Sequence, residues 1–217
     1  MISGKDTVKK ILEADSININ FIANCIRDMS LISDRNYLYP KEEMQYAQAE
    51  GIGITWQKPL ELAKAVMFLS QFDINSYCEI GIYKGGSLAI IGSVLKRVNP
   101  NIKITALDIE IQNEIEGVVD ALCVEIINND SSEISGTEFD LVFIDGGHTY
   151  KDASNDYANV GRFSKICMFH DIVDHDCIMM HNSGGGVPAL WGYLKAQRSY
   201  VEFVDQPSYA LGLGILF

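Results

Sequence analysis

Residues 140–148 read Asp140-Leu141-Val142-Phe143-Ile144-Asp145-Gly146-Gly147-His148. Leu141 to Ile144 are apolar and rich in β-formers, which predicts a strand buried on both faces. The run stops at an acid, two glycines and a histidine. Open α/β sheets bind their ligands at the carboxyl ends of parallel strands, so Asp145 and His148 are candidate functional residues. The pattern recurs at Ile166-Cys167-Met168-Phe169, which His170-Asp171 follows. If these two strands are neighbours, a spacing of about 4.8 Å brings Asp145 and Asp171 to one crevice. Two acids placed so can hold a metal ion or exchange a proton.

Upstream, Ser76-Tyr77-Cys78-Glu79-Ile80 predicts a short strand. It runs into Gly81-Ile82-Tyr83-Lys84-Gly85-Gly86-Ser87. A helix is expected over 88–98, with Ser87 as its N-cap. Strand, glycine turn and helix make the first unit of a doubly wound fold. The glycines let backbone approach a ligand, and the helix N-terminus offers free N–H donors to a carboxylate or phosphate. The next expected strand, 102–107, ends at Asp108, which follows Gly86 by 22 residues. That matches the acid that binds ribose hydroxyls roughly 20 residues after the glycines of such folds. A dinucleotide fingerprint, G-x-G-x-x-G, needs a glycine where Tyr83 stands. The E-x-G-x-x-x-G-G turn is wider, and suits a nucleoside with a small zwitterionic tail better than a pyrophosphate.

Glu79-x-Gly81-x-x-x-Gly85-Gly86-Ser87, with Asp108 after the second strand, resembles motif I and the ribose acid of class I S-adenosylmethionine-dependent methyltransferases. Phe139-Asp-Leu-Val-Phe-Ile-Asp-Gly-Gly-His-Thr-Tyr150 and Phe169-His-Asp-Ile172 resemble one group within that class, which includes the macrolide-sugar O-methyltransferases and the cephalosporin-hydroxylase-like proteins. The resemblance covers about residues 57–217. It implies a seven-stranded, mostly parallel, doubly wound α/β sheet with an antiparallel last strand. It implies S-adenosylmethionine contacts at Glu79, Gly81, Tyr83, Gly85, Gly86, Ser87 and Asp108, and near Asp130 and Ser131, where the class meets adenine. It implies a divalent cation, Mg²⁺ or Mn²⁺, on Asp145, Asp171 and position 170, and His148 as the base that takes a proton from an acceptor hydroxyl. Position 170 is the departure, because the group has an acid where this chain has His170. A nitrogen donor there would tilt preference from Mg²⁺ toward Mn²⁺, Fe²⁺ or Zn²⁺. The other outcome is that His170 only hydrogen-bonds nearby and no metal binds.

The remaining segments fit that architecture. Helices are expected over 60–71 (with Pro59 in its first turn and Glu61 favoured by the helix dipole), 111–122 and 151–160, and one opening at Pro188. Strands are expected over 124–127, 165–169, 200–204 and 209–217. Residues 1–56 read as a helical extension or lid, helical over 5–33 with Asp15 or Ser16 as an internal cap, and irregular over 34–56. Trp56 and Gln57 could line an acceptor pocket or simply pack, and Tyr150 reads as core or as support for the site. His175, Cys177 and His181, in an expected loop over 172–186, match no standard zinc spacing.

Composition bounds the partners. The chain has 217 residues, net charge −12, 47% hydrophobic and 21% charged residues, the profile of one large globular domain with an extension. Lysines and arginines are scattered, so no nucleic acid partner is expected. No apolar run reaches the roughly 18 residues that span a bilayer, so no membrane partner is expected either. Five dispersed cysteines read as reduced, mostly buried thiols of a cytoplasmic protein. The closing strands and N-terminal helices offer surface for a homo-oligomer. The expected activity is transfer of a methyl group from S-adenosylmethionine to a hydroxyl of a small molecule or saccharide. Two rival readings are a non-catalytic S-adenosylmethionine-binding protein and a dinucleotide-dependent oxidoreductase.

Overall fold

The computed structural model describes residues 3–29, 55–173, 185–205 and 211–217. The strands are β1 (Ser76–Ile80), β2 (Lys103–Leu107), β3 (Glu125–Ile127), β4 (Leu141–Ile144), β5 (Ile166–His170), β6 (Tyr200–Phe203) and β7 (Leu213–Leu216). They form one seven-stranded sheet in the order β3-β2-β1-β4-β5-β7-β6. The first five are parallel, and β7 runs antiparallel to both β5 and β6. This is the doubly wound, class I methyltransferase architecture that the sequence predicts. The order reverses between β1 and β4, the point beyond whose carboxyl ends such sheets bind their ligands.

The apolar run of β4 follows from its place between β1 and β5. Successive side chains of a strand point to opposite faces. Leu141 and Phe143 enter one buried layer, Val142 and Ile144 the other. The first layer is packed by α1 (Gly4–Glu13), α2 (Ile19–Arg27), α3 (Pro59–Leu69), α4 (Gly86–Val98) and α5 (Glu116–Leu122). The second is packed by α6 (Tyr150–Asn159) and α7 (Gly186–Lys195), whose Leu190 and Trp191 are buried. Every position of β4 meets an apolar neighbour, so the strand shows no polar alternation.

The described N-terminal helices share the core of the sheet. Ile11 of α1 and Ile22 and Ile26 of α2 are fully buried in the same layer as Leu62 and Leu88. Arg97, near the end of α4, donates to the carbonyls of Ile11, Leu12 and Asp15 at 3.1–3.2 Å. It thereby satisfies carbonyls left open where α1 ends.

Several local expectations shift. In the described part of the helical stretch 5–33, the two helical segments are capped by Ser3 (accepting from the Asp6 N–H, 3.1 Å) and Asn18 (accepting from the Phe21 N–H, 2.9 Å), not by Asp15 or Ser16. The 111–122 helix is a 3₁₀ turn, Asn113–Ile115, followed by α5. α4 starts at Gly86, and its N-cap is Gly85 in the left-handed region at φ 79°, so Ser87 is not the cap. Pro59 opens α3, but Pro188 lies inside the first turn of α7, which opens at Gly186. Tyr150, expected in the core or beside the site, begins α6 and is exposed. Cys25, Cys78 and Cys167 are buried and Cys123 is exposed. Residues 34–54, and His175, Cys177 and His181, lie outside the described residues. Among the described residues, no helix is long and apolar enough to cross a membrane.

Candidate active site

The turn after β1 is the first half of the site. Gly81 adopts φ 85°, a conformation that side chains disfavour. Its N–H donates to the Leu107 carbonyl at 2.9 Å, while the Asp145 N–H donates to the Ile80 carbonyl at 2.8 Å. The ends of β2, β1 and β4 are thus tied side by side. Asp108, just beyond β2, turns its Oδ2 to the backbone N–H groups of Ile82 (2.8 Å) and Tyr83 (3.1 Å). Its Oδ1 accepts from the Glu110 N–H at 3.0 Å. Asp108 therefore braces the glycine turn from the position expected of the ribose acid. Tyr83 is exposed at positive φ, and Lys84 pairs with Glu114 at 3.1 Å.

Glu79, on β1, is fully buried. It accepts from Ser87 Oγ at 2.5 Å and from the Tyr77 hydroxyl. This is what Ser87 does instead of capping α4. Burial pushes Glu79 from 4.5 up to about 8, against the pull of the Ser87 and Tyr77 hydrogen bonds, and Asp145 and Asp108 add to the rise. Burial, reinforced by Glu79, also holds Tyr77 well above the usual phenol range.

The second half gathers at the ends of β4 and β5. β4 and β5 are direct neighbours, with Ile144 beside Phe169. Asp145 Oδ1 lies 2.9 Å from His170 Nδ1, and its Oδ2 accepts from Gln57 Nε2 at 2.5 Å. Thr55 Oγ1 donates to Gln57 Oε1 and so fixes which way that amide faces. His148 Nε2 lies 3.4 Å from Asp171 Oδ2, and His170 Nδ1 lies 3.5 Å from Asp171 Oδ1. His148 is partly exposed, whereas Asp171 and His170 are buried. Burial opposes the charged form of His170, but Asp171 and Asp145 outweigh it and lift the imidazole to about 9. Asp171 sits at φ 59°, a left-handed conformation that aspartate tolerates better than most residues.

Among the described residues, Asp145, His148 and Asp171 offer three ligand atoms all within 4.8 Å of one another. The Oδ1 of Asp171 is buried without a hydrogen-bond partner. A mixed oxygen and nitrogen donor set of this kind fits a divalent cation.

The other expected residues have local partners. Asp130 is exposed, and its Oδ1 accepts from the Ser132 N–H at 2.8 Å. Ser131 is buried, donates to Asp156 at 2.7 Å and accepts from Asn159 at 3.0 Å. The role of Gln57 at Asp145 carried no motif. The polar Thr55-Trp56-Gln57 before Pro59 was its sole sequence signal. Glu61, expected only as a helix-dipole acid, is 1% exposed and accepts from the N–H groups of Asp205 (2.9 Å) and Gly212 (3.1 Å). It fastens α3 to the segments that flank β6 and β7.

The sheet order and its antiparallel last pair are those of the class I methyltransferase fold. Residues 78–172, from β1 to just beyond β5, match the family model described as a methyltransferase domain. None of the curated proteins matches the sequence. Among solved structures, the O-methyltransferase TomG from Streptomyces achromogenes, involved in tomaymycin synthesis and solved with SAM, is 15% identical with a TM-score of 0.55, over 86% of this chain and 91% of that one. An O-methyltransferase from Bacillus cereus, solved with SAH, is 14% identical with a TM-score of 0.56, over 86% and 92%. The SAH-bound methyltransferase PaMTH1 from Podospora anserina is 15% identical with a TM-score of 0.51, over 96% and 93%.

Proposed function

We propose that this chain transfers the methyl group of S-adenosylmethionine to a hydroxyl of a small molecule, with a saccharide as one acceptor class. The observation that carries this reading is the contact between its two halves. The Gly81 turn, which would hold the cofactor, lies directly against Asp145, which begins the Asp145–His148–Asp171 cluster. Donor and acceptor sites would share one wall, as an in-line displacement at a sulfonium methyl requires. The O-methyltransferases of the same fold support the choice of oxygen as acceptor.

Each residue then has a task. Gly81, Tyr83, Gly85 and Gly86 let the nucleoside and its tail approach backbone. Glu79 and Ser87 face the zwitterionic end, and Asp108 the ribose. Asp130 and Ser131 lie on the segment assigned to adenine. Gln57 and His170 fix the Asp145 carboxylate, and Asp145, His148 and Asp171 activate the acceptor hydroxyl. A divalent cation held by that cluster would lower the hydroxyl pKa and orient it.

The test is thermal unfolding with S-adenosylhomocysteine, with Mn²⁺ or Mg²⁺ added and EDTA as control. Nucleoside at a hundredfold over its dissociation constant adds about 2.7 kcal/mol of stability, a midpoint shift of roughly 5–10 °C. Absence of any shift at saturating nucleoside would overturn the reading.

A further inference from the structure

We infer that Asp156, on α6, is a positioning residue that ties the segment assigned to adenine to the Gly146–Gly147 turn between Asp145 and His148. It touches neither cofactor nor acceptor, and acts by holding those two stretches at a fixed separation. This deepens the methyltransferase reading and rests on it.

α6 holds the 131–136 stretch at two points. Asp156 Oδ1 accepts from Ser131 Oγ at 2.7 Å. Asn159 donates from Nδ2 to the same Ser131 Oγ at 3.0 Å, and its carbonyl accepts from the Gly136 N–H at 2.8 Å. Ser131 opens a 3₁₀ turn, Ser131–Ile134, and is 2% exposed. One buried hydroxyl thus meets two side chains of α6, as donor to one and acceptor from the other. A shift of the stretch along α6 breaks one of these bonds.

The same helix seats the glycine turn. Residues four apart on a helix share a face, and Asp152 and Asp156 are such a pair. A Cβ on Gly147 would stand 2.6 Å from the Cβ of Asp152, and one on Gly146 would stand 3.3 Å from Asp156 Oδ2. Gly147 therefore lies closer to α6 than a side chain would permit. Asp152 is itself fixed, because its N–H donates to Thr149 Oγ1 at 3.1 Å and its Oδ2 accepts from the same hydroxyl at 2.6 Å. Asp145 and His148 flank the two glycines, so their side chains inherit the position of the turn. The Asp156 carboxylate spans the gap, with Oδ1 on Ser131 and Oδ2 against Gly146.

This arrangement costs stability. Burial raises the Asp156 carboxyl above its usual range, against the pull of the Ser131 hydrogen bond, and Asp152 and Asp130 add to the rise. Like charges four apart on a helix are destabilising. Sequences break local rules of this kind at functional sites and recover the cost elsewhere. Methyl transfer gives a reason, because donor and acceptor must be held in one narrow geometry. A tie from the adenine end to the Asp145–His148 turn passes the hold on the nucleoside to the groups that face the acceptor.

The experiment uses the full chain with S-adenosylhomocysteine and adenosine. Adenosine lacks the amino-acid tail, so its contacts are confined to the nucleoside end. Competition with S-adenosylhomocysteine in calorimetry first places it in the same site. Hydrogen exchange read by mass spectrometry then follows the amides of residues 146–149, with α1 as control. Bound adenosine should slow exchange at 146–149 and leave α1 unchanged. Asp156→Ala and Ser131→Ala each break the tie, and should abolish that protection and weaken S-adenosylhomocysteine roughly tenfold. Asp156→Asn keeps an acceptor for Ser131 and should retain the protection. A merely structural role for Asp156 would lower stability without touching the protection that adenosine confers. The inference is overturned if adenosine leaves 146–149 unchanged in the wild type, if the protection survives the alanine substitutions, or if D156N loses it as D156A does. Adenosine unable to displace bound S-adenosylhomocysteine would overturn it too. Variants at both ends of the tie keep the test open should one fail to fold. If neither compound binds the wild type, the methyltransferase reading itself falls, and the two failures are thereby distinguished.

Discussion

A Cβ atom on Gly81 would stand 2.3 Å from the carbonyl oxygen of Asp145. The turn after β1 and the end of β4 therefore meet backbone to backbone, with no room for a methyl group. Positive φ is a second reason for glycine here. Gly81→Ala should destabilise the fold by about 2–4 kcal/mol through strain and overpacking together. Urea unfolding measures this directly. A variant as stable as the wild type would show that the two loops are further apart than described.

Glu79 should make stability fall as pH rises. Its carboxyl is raised from 4.5 to about 8 by burial, with Tyr77, Asp145 and Asp108 as its charged or titratable neighbours. The unfolded chain releases this proton near 4.5, whereas the folded chain keeps it to about 8. The contribution is therefore complete below about 4.5 and is lost as pH climbs through about 8. Its slope reaches about 1.4 kcal/mol per pH unit within that window. Glu79→Gln should flatten the slope, as seen by unfolding at pH 5, 6, 7 and 8. If the cofactor ammonium meets Glu79 as a carboxylate, binding at pH 7 releases a proton. Calorimetry in buffers of different ionisation enthalpy would detect it.

Asp108→Ala should weaken S-adenosylhomocysteine binding by roughly 10–100-fold, the effect of about 1.4–2.8 kcal/mol. Both the ribose contact and the brace on the Ile82 and Tyr83 N–H groups are lost. The fold should survive, because Asp108 is only partly buried beyond the end of β2. Asp108→Asn keeps a carbonyl acceptor for the brace and should fall between the two. Unchanged affinity in calorimetry of the alanine variant would remove the ribose assignment.

Much of the architecture was legible in the chain because its signals are local. Leu141 to Ile144 and Ile166 to Phe169 are apolar without interruption, as strands covered on both faces must be. Gly81 and Gly85 mark the turn between β1 and α4, and Asp108 follows at the interval one βαβ step imposes. Boundaries were less legible where two residues compete for one task. Ser87 can cap a helix or bind a buried acid; here its hydroxyl goes to the fully buried Glu79, and Gly85 in the left-handed region takes the cap position.

By itself, the sequence determined the order of strands and helices, the glycine turn and the acids placed at strand ends. Hydrophobic periodicity and backbone freedom are properties of neighbouring residues, so one chain segment suffices to read them. Only the tertiary structure decided the partners within the site. Gln57 reaches Asp145 across 88 positions, and Arg97 holds the end of α1 across more than 80. The two histidines of the cluster also take their roles from it: His170 turns its Nδ1 to Asp145, and His148 turns its Nε2 to Asp171. Such pairings depend on how β4 and β5 align and on which side chains the packed helices leave room for. No local spacing records that.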